Sequence, residues 1–257
     1  MTFMATKQTD QQFVGLLKEA KINPDIIGLF LGGSRGKDFQ NSHSDYDLYM
    51  IVKDKVAKIH QRKYGKIRFK EIDLVVMSLS EFRKYALWGS PEAWNRYDFT
   101  HVKALVAKIS EIQKLINEKG SIPNDQRHDF IARSLDAYIN GVFRSVKCFR
   151  NQNETGARME ASASIPYLLD LVFALHNRPR PFYGYLEREL KKYPLEKLPW
   201  SEKKFSKMIL NILSTADLKT QQKILKAVEK IFRKEGHGCV FNGWEGKDKW
   251  AKNYRQK

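Results

Sequence analysis

The sequence predicts an α+β protein, in which a small mixed β-sheet with helices packed on it precedes an α-helical bundle. Three observations predict this. Apolar runs of strand character fall near residues 26–32, 46–52 and 66–77, separated by glycine-rich or polar segments. Beyond Ser90-Pro91-Glu92 the apolar period lengthens to three and four, and almost no strand pattern is left. A length of 257 residues supplies one large domain or two small ones, with an ample core.

In chain order, residues 8–21 place Phe13, Leu16, Leu17 and Ala20 at helical spacing, and Asn23-Pro24-Asp25 stops that helix before the first strand. The basic segment 53–65 reads as a hairpin or a short helix. Residues 78–87 begin another helix, with Ser78 or Ser80 as its cap and Glu81 early in it. Helical periodicity then covers residues 101–119, 124–150, 155–176 and 202–234, with Pro166 expected to kink or divide the third. Within the second, Ile131, Leu135, Tyr138, Val142, Val146 and Phe149 form one stripe for burial. The expected organisation is a sheet domain over residues 1–98, a helical bundle over 99–235 and a basic tail over 236–257. That tail, with Phe241, Trp244, Trp250 and Tyr254 among lysines, reads as a loosely ordered arm.

The chemistry concentrates where the first strand breaks at Leu31-Gly32-Gly33-Ser34-Arg35-Gly36 and a second opens with Asp45-Tyr46-Asp47-Leu48. A glycine pair lets backbone N–H groups approach phosphates closely, and Ser34 adds a hydroxyl donor. Asp45 and Asp47 are two apart, so on a strand both carboxylates point to one face and can bind the same metal ions. A third acid is available in Asp73, embedded in Ile72-Asp73-Leu74-Val75-Val76. An ionised carboxylate in a buried strand is costly unless paired or metal-bound, and a neighbouring strand carrying Asp45 and Asp47 accounts for it. Glu71 shares its parity but sits where the strand is still polar. The competing reading is an ordinary glycine turn beside a solvated strand edge.

At these residues the chain resembles the nucleotidyltransferase superfamily that includes DNA polymerase beta, and within it the minimal and antibiotic-modifying enzymes. The shared pattern is a helix, a glycine-glycine or glycine-serine turn, a pair of acids separated by one residue, and a third acid on a later strand. Gly33-Ser34, Asp45-Tyr46-Asp47-Leu48 and Asp73 supply it, although the glycine after Arg35 comes early, at Gly36. The resemblance implies that Ser34 and the Gly33 backbone hold the β and γ phosphates of a nucleoside triphosphate, with Arg35 or Lys37 adding charge. It implies that Asp45 and Asp47 ligate two Mg²⁺ ions, and that Asp73 ligates the catalytic one and acts on the acceptor hydroxyl. The implied reaction is attack of that hydroxyl on the α-phosphate, most readily of ATP, with release of pyrophosphate.

In two-domain members the acceptor site commonly lies between the sheet and the following helical domain. The runs 136–145, 158–161 and 178–183 also look like the helical part of that group. Asn140, Arg144 and Lys147 share one helical face, either as a polar row toward nucleotide or substrate, or as a plain solvated face. A glutamate from the helical domain is the general base in some antibiotic-modifying members. Glu160 is the candidate for that role, against a salt bridge to Arg144 or Arg158. Arg178 and Arg180, set between prolines, either meet a phosphate or cap carbonyls. A homodimer with a shared acceptor cleft also fits this architecture.

Composition bounds the partners. Cys148 and Cys239 form neither a disulfide framework nor a zinc ligand set. No apolar run approaches the length of a membrane span and the first residues lack a signal pattern, so a cytoplasmic protein with no membrane partner is expected. The net charge is +17, of which residues 1–100 carry only +4, with 16 Lys and Arg against 12 Asp and Glu. The excess lies in the helical half. It favours an RNA acceptor such as tRNA, against the equal alternative of a plain basic surface, and argues mildly against a polycationic antibiotic, while a hydroxyl-bearing small molecule is the first expectation. A protein side chain as acceptor, or a noncatalytic nucleotide- or RNA-binding module, are the other readings. Arg96 and His101 have the spacing of a ribonuclease RxxxxH motif, with no second feature to support it.

Overall fold

The computed structural model describes residues 2–67, 71–246 and 249–255, with side chains described from residue 8 onward. It divides into two compact units, Met1–Pro123 and Asn124–Lys257.

The first unit opens with helix α1 (Thr2–Ile22), which stops at an Asx turn where the Asp25 amide donates to Asn23 Oδ1 at 3.0 Å. Strand β1 (Ile26–Leu31) follows, then a 3₁₀ turn (Arg35–Lys37) and strand β2 (Tyr46–Val52). Helix α2 (Ala57–Gly65) crosses over to strand β3 (Ile72–Ser78). Helix α3 (Leu79–Lys84), a 3₁₀ segment (Pro91–Phe99), strand β4 (Ala104–Ala107) and helix α4 (Glu111–Lys119) complete the unit. The expected strand over 66–77 falls partly on residues 68–70, outside the described residues.

The strands form one mixed sheet in the order β3-β2-β1-β4. Strand β1 is antiparallel to both β2 and β4, and β2 is parallel to β3, the pairing that a helical crossover through α2 permits. Alternation along the strands sorts their side chains between two cores. Leu29, Leu48 and Met50 pack under Leu16 and Ala20 of α1 and Tyr64 of α2. Phe30, Tyr49 and Ile51 pack under Phe82 of α3, Phe99, and Ile112 and Ile116 of α4. Both faces of the sheet are therefore covered within the unit.

Residues 99–123 thus depart from the helical assignment expected of them. Only 111–119 is helical; Ala104–Ala107 is a strand, and the whole stretch belongs to the compact unit that ends at Pro123. Four residues are too few to display a period of two convincingly. What fixes the strand is its partner, since Leu29 pairs with Val106 and the Lys108 amide donates to Ile27 O at 2.9 Å.

The second unit is helical: α5 (Asn124–Arg150), α6 (Glu154–Ala174), α7 (Leu186–Lys192), α8 (Glu202–Thr215), α9 (Leu218–Lys234) and α10 (Gly238–Gly243). The expected stripe on α5 is buried from Ile131 to Val146, with Phe149 half-buried. Small residues let α5 and α6 approach closely. Ser145 Oγ donates to Ala157 O at 2.9 Å, and a Cβ on Gly141 would lie 2.9 Å from that of Ser164.

Pro166 does not divide α6, whose C-terminal half, from Leu168 to Ala174, is nearly all core. Burial there outweighs the local cost of one missing N–H. The run expected over 202–234 is instead two helices, broken where Ala216 turns left-handed (φ +52°) and Asp217 caps α9 through the Thr220 amide at 2.7 Å. The tail expected as a loose arm is packed in its described part. Phe241 is buried, Trp244 Nε1 donates to Asp136 at 2.8 Å, and Gln222 Nε2 donates to Ala251 O and Tyr254 O, each at 2.9 Å. Among the described residues no helix is long and apolar enough to cross a membrane.

Candidate metal and nucleotide site

The glycine turn and the acids meet at one end of the sheet. The Gly32 amide donates to Asp47 O at 2.8 Å, which ties the start of the turn to β2. Gly33 then adopts φ +50°, and a Cβ built on it would fall 1.8 Å from Asp47 Oδ2, so only glycine admits the carboxylate this close. Gly36 is equally constrained, because a Cβ there would lie 2.2 Å from Leu31 O. Ser34 is buried at the start of the 3₁₀ turn, and its hydroxyl makes no capping hydrogen bond.

Asp47 and Asp73 stand opposite each other in register on β2 and β3. Asp45 precedes β2 by one residue and is exposed. Asp73 is exposed as well, a departure from the buried setting expected of it, because β3 is an edge strand. Burial pushes the Asp47 carboxyl up to about 6; the charges of Asp45, Asp98 and Asp73 add to the rise, and Lys37 opposes it. Glu71, the weaker alternative for the third acid, accepts from Thr9 Oγ1 at 3.1 Å on the α1 side.

Two basic residues serve the turn from within. Arg35 donates to Asp45 O and Ser44 O, both at 2.9 Å, with its guanidinium 3.8 Å from the Tyr46 ring centre. It therefore braces the loop that presents Asp45. Lys37 is 1% exposed, and its ammonium donates to Asp98 O at 2.9 Å and Gly33 O at 3.4 Å, beside the Tyr97 ring. Its charge reaches the site from beneath the turn.

Sequence reasoning missed Asp98. This buried acid accepts from Tyr49 Oη at 3.1 Å and from the Gly33 amide, and burial raises its pKa while Lys37 opposes the rise. One amide expected to face phosphate is thus held by the protein's own carboxylate. The available signal was an acid between Tyr97 and Phe99, but a 3₁₀ segment has no amphipathic period to show which of its residues turns inward.

The remaining candidates lie in the helical unit. Glu160 is paired with Arg144, whose Nη2 lies 2.6 Å from its Oε1, and Asn140, Arg144 and Lys147 are exposed. Arg178 and Arg180 are engaged by carboxylates, Arg178 by the fully buried Glu189 at 2.6 Å and Arg180 by Asp170 at 2.9 Å. In the first unit, Arg96 is a structural clamp. It donates to Ala86 O, Glu118 O and Ser121 O, which removes any ribonuclease reading of its spacing to His101.

Among the described residues no three acids, histidines or cysteines converge closely enough to form a metal-binding group. Coulombic coupling reaches further than ligation, so the charges of Asp45 and Asp73 act on Asp47 without the three meeting at a point. As a donor set they nevertheless suit a hard divalent cation: all are carboxylate oxygens, two are on exposed side chains with rotamers to choose from, and their mutual repulsion calls for a counter-charge.

No family model and no curated protein matches this sequence. Among solved structures the chain is similar to a nucleotidyltransferase-like protein from Exiguobacterium sibiricum 255-15, at 12% identity and a TM-score of 0.41, over 92% of this chain and 78% of that one. Likeness of that depth leaves the reading of the site to the site's own residues.

Proposed function

We propose that this chain is a nucleotidyltransferase, moving a nucleoside monophosphate from a nucleoside triphosphate, ATP first among them, to an acceptor hydroxyl. The observation that carries the reading is the placement of Asp47 and Asp73 in register on adjacent strands, with Asp45 beside them, against a turn whose Gly33 has no room for a side chain. Asp45, Asp47 and Asp73 would hold the Mg²⁺ ions, and the chemistry those supply when bound is charge neutralisation of the triphosphate and acidification of the acceptor hydroxyl.

The protein's own residues do the remainder. Ser34 seats the phosphates at the turn, the Gly33 amide being held by Asp98, with Lys37 giving positive potential from below and Arg35 fixing the loop that carries Asp45. Asp73, exposed on an edge strand, is open to an incoming acceptor, and it receives the proton of the attacking hydroxyl. The new bond joins the acceptor oxygen to the α-phosphorus, the bridging bond to the β-phosphate breaks, and pyrophosphate leaves. Glu160 is engaged by Arg144, so Asp73 is preferred to it as the acceptor's base.

The acceptor is a hydroxyl-bearing small molecule in the first reading. RNA is the second, favoured by a net charge of +11 over residues 124–257. Incubation with α-labelled ATP, CTP, GTP or UTP, Mg²⁺ and panels of aminoglycosides, lincosamides and tRNA should show label transfer and pyrophosphate release, both lost in Asp47→Ala. Absence of transfer to every acceptor, together with nucleotide binding unchanged in Asp47→Ala, would overturn the proposal.

A further inference from the structure

Helix α9 carries lysines at 219, 223, 226, 230 and 234, all exposed. Steps of four, three, four and four keep them within about 80° of arc at 3.6 residues per turn, a stripe about 22 Å long. None of the five pairs with a carboxylate among the described residues. The one acid inside α9, Glu229, is taken by Arg233 at 3.0 Å and Lys252 at 2.8 Å. Glu235, just beyond the helix, is held by Lys197 at 2.9 Å.

An ordinary solvated helix face interleaves acids three and four residues from its bases, and each such pair helps the helix. Here each lysine's neighbour along the stripe is another lysine, a cost to the free helix that Glu229, three residues after Lys226, does not offset because Arg233 and Lys252 take it. A bound polyanion removes that cost. At its N-terminal end the stripe enters a cleft of about 700 Å³ lined by Phe149, Tyr254, Lys219, Gln222 and Arg255. Both aromatic rings are half-buried, so each keeps an accessible part. Among the described residues the cleft's one carboxylate, Asp217, is occupied in capping α9. The C-terminal segment that brings Tyr254 there is fastened to α9 by Gln222.

We infer that this face binds single-stranded nucleic acid, with the phosphodiester backbone along the lysine stripe and a base in the aromatic cleft at its end. Charge alone would accept duplex as readily as single strand. The aromatic cleft selects for an unpaired base, which has a free π-face to stack. This surface lies wholly within residues 124–257 and stands whether or not the chain transfers nucleotides.

Fluorescence anisotropy of the full chain with a labelled 20-nucleotide RNA, the matching DNA and a blunt RNA duplex, over a salt titration, tests it. Changing Lys219, Lys223, Lys226 and Lys230 to Gln should weaken single-strand binding more than tenfold and flatten the log K against log salt slope by about 3, at roughly 0.7 for each phosphate no longer neutralised. Tyr254→Ala should cost about tenfold on single strands and leave the duplex unchanged. Lys55→Gln with Lys58→Gln, on the other unit, should change nothing, and unchanged circular dichroism should show each variant folded. The RNA and DNA arms tell which strand is preferred. Affinity unchanged in the quadruple variant, equal binding of duplex and single strand with no effect of Tyr254→Ala, or binding only to phosphatidylserine vesicles would each overturn the inference.

Discussion

In metal-free protein Asp47 holds its charge against Asp45, Asp73 and Asp98, with one buried lysine in its favour. Because its carboxyl is raised to about 6 in the folded chain from a reference near 4, the folded state binds the proton more tightly than the unfolded one. Stability therefore falls as pH rises through that window and stays lower above it. Half of the group faces solvent, so the cost is discounted to the order of 1 kcal/mol. Asp47→Asn removes the charge and should melt higher than wild type at pH 8 in the presence of chelator, with the difference gone at pH 4. Mg²⁺ or Mn²⁺ should raise the wild-type melting temperature and leave Asp47→Asn nearly unmoved; equal shifts in both would remove Asp47 from the cation site. Gly33→Ala tests the same contact from the other side. It forces a left-handed residue at a cost of about 1–2 kcal/mol and drives a methyl into Asp47, so both stability and any nucleotidyl transfer should fall.

Among the elements, α3 shows how local chemistry can be read directly. The Glu81 amide donates to Ser78 Oγ at 3.0 Å and the Ser78 amide to Glu81 Oε2 at 2.7 Å, a reciprocal cap in which Ser78 takes the role the sequence left open between Ser78 and Ser80. Ser78→Ala should cost about 1 kcal/mol in urea unfolding, and no loss would mean the helix is held by Phe82 packing alone. The α5 stripe and the glycine-acid motif were legible for the same reason, since each is a pattern among near neighbours. Strand β4 was not, because four residues acquire strand identity only by pairing with β1, far away in sequence. Asp98 and the inward Lys37 were hidden likewise: their burial is decided by Tyr49 and Gly33 on other elements. The glycines and acids of the candidate site were therefore visible as a motif, while the residues that brace them became visible only once the chain was folded.

At the scale of the whole chain, the division after Pro123 has a consequence for autonomy. The sheet of the first unit has α1 and α2 over one face and α3, the 3₁₀ segment and α4 over the other, so its two cores close without any residue beyond Pro123. A fragment of residues 1–123 should fold cooperatively in urea and show the same Mg²⁺-dependent stabilisation as the full chain. A fragment ending at residue 98 lacks Phe99, Val102, Ile112 and Ile116 from the second core and leaves the edge of β1 unpaired. Each missing side chain removes about 1.5–3 kcal/mol of apolar burial, together about 6–12 kcal/mol, which is comparable to the whole stability of a domain of this size. It also loses the carbonyls of Glu118 and Ser121 that receive the Arg96 guanidinium, stranding a buried cation. Circular dichroism and urea titration of the two fragments decide the matter: comparable cooperative unfolding of both would show that β4 and α4 are appendages, whereas a folded longer fragment and an unfolded shorter one would establish them as part of the first unit's core.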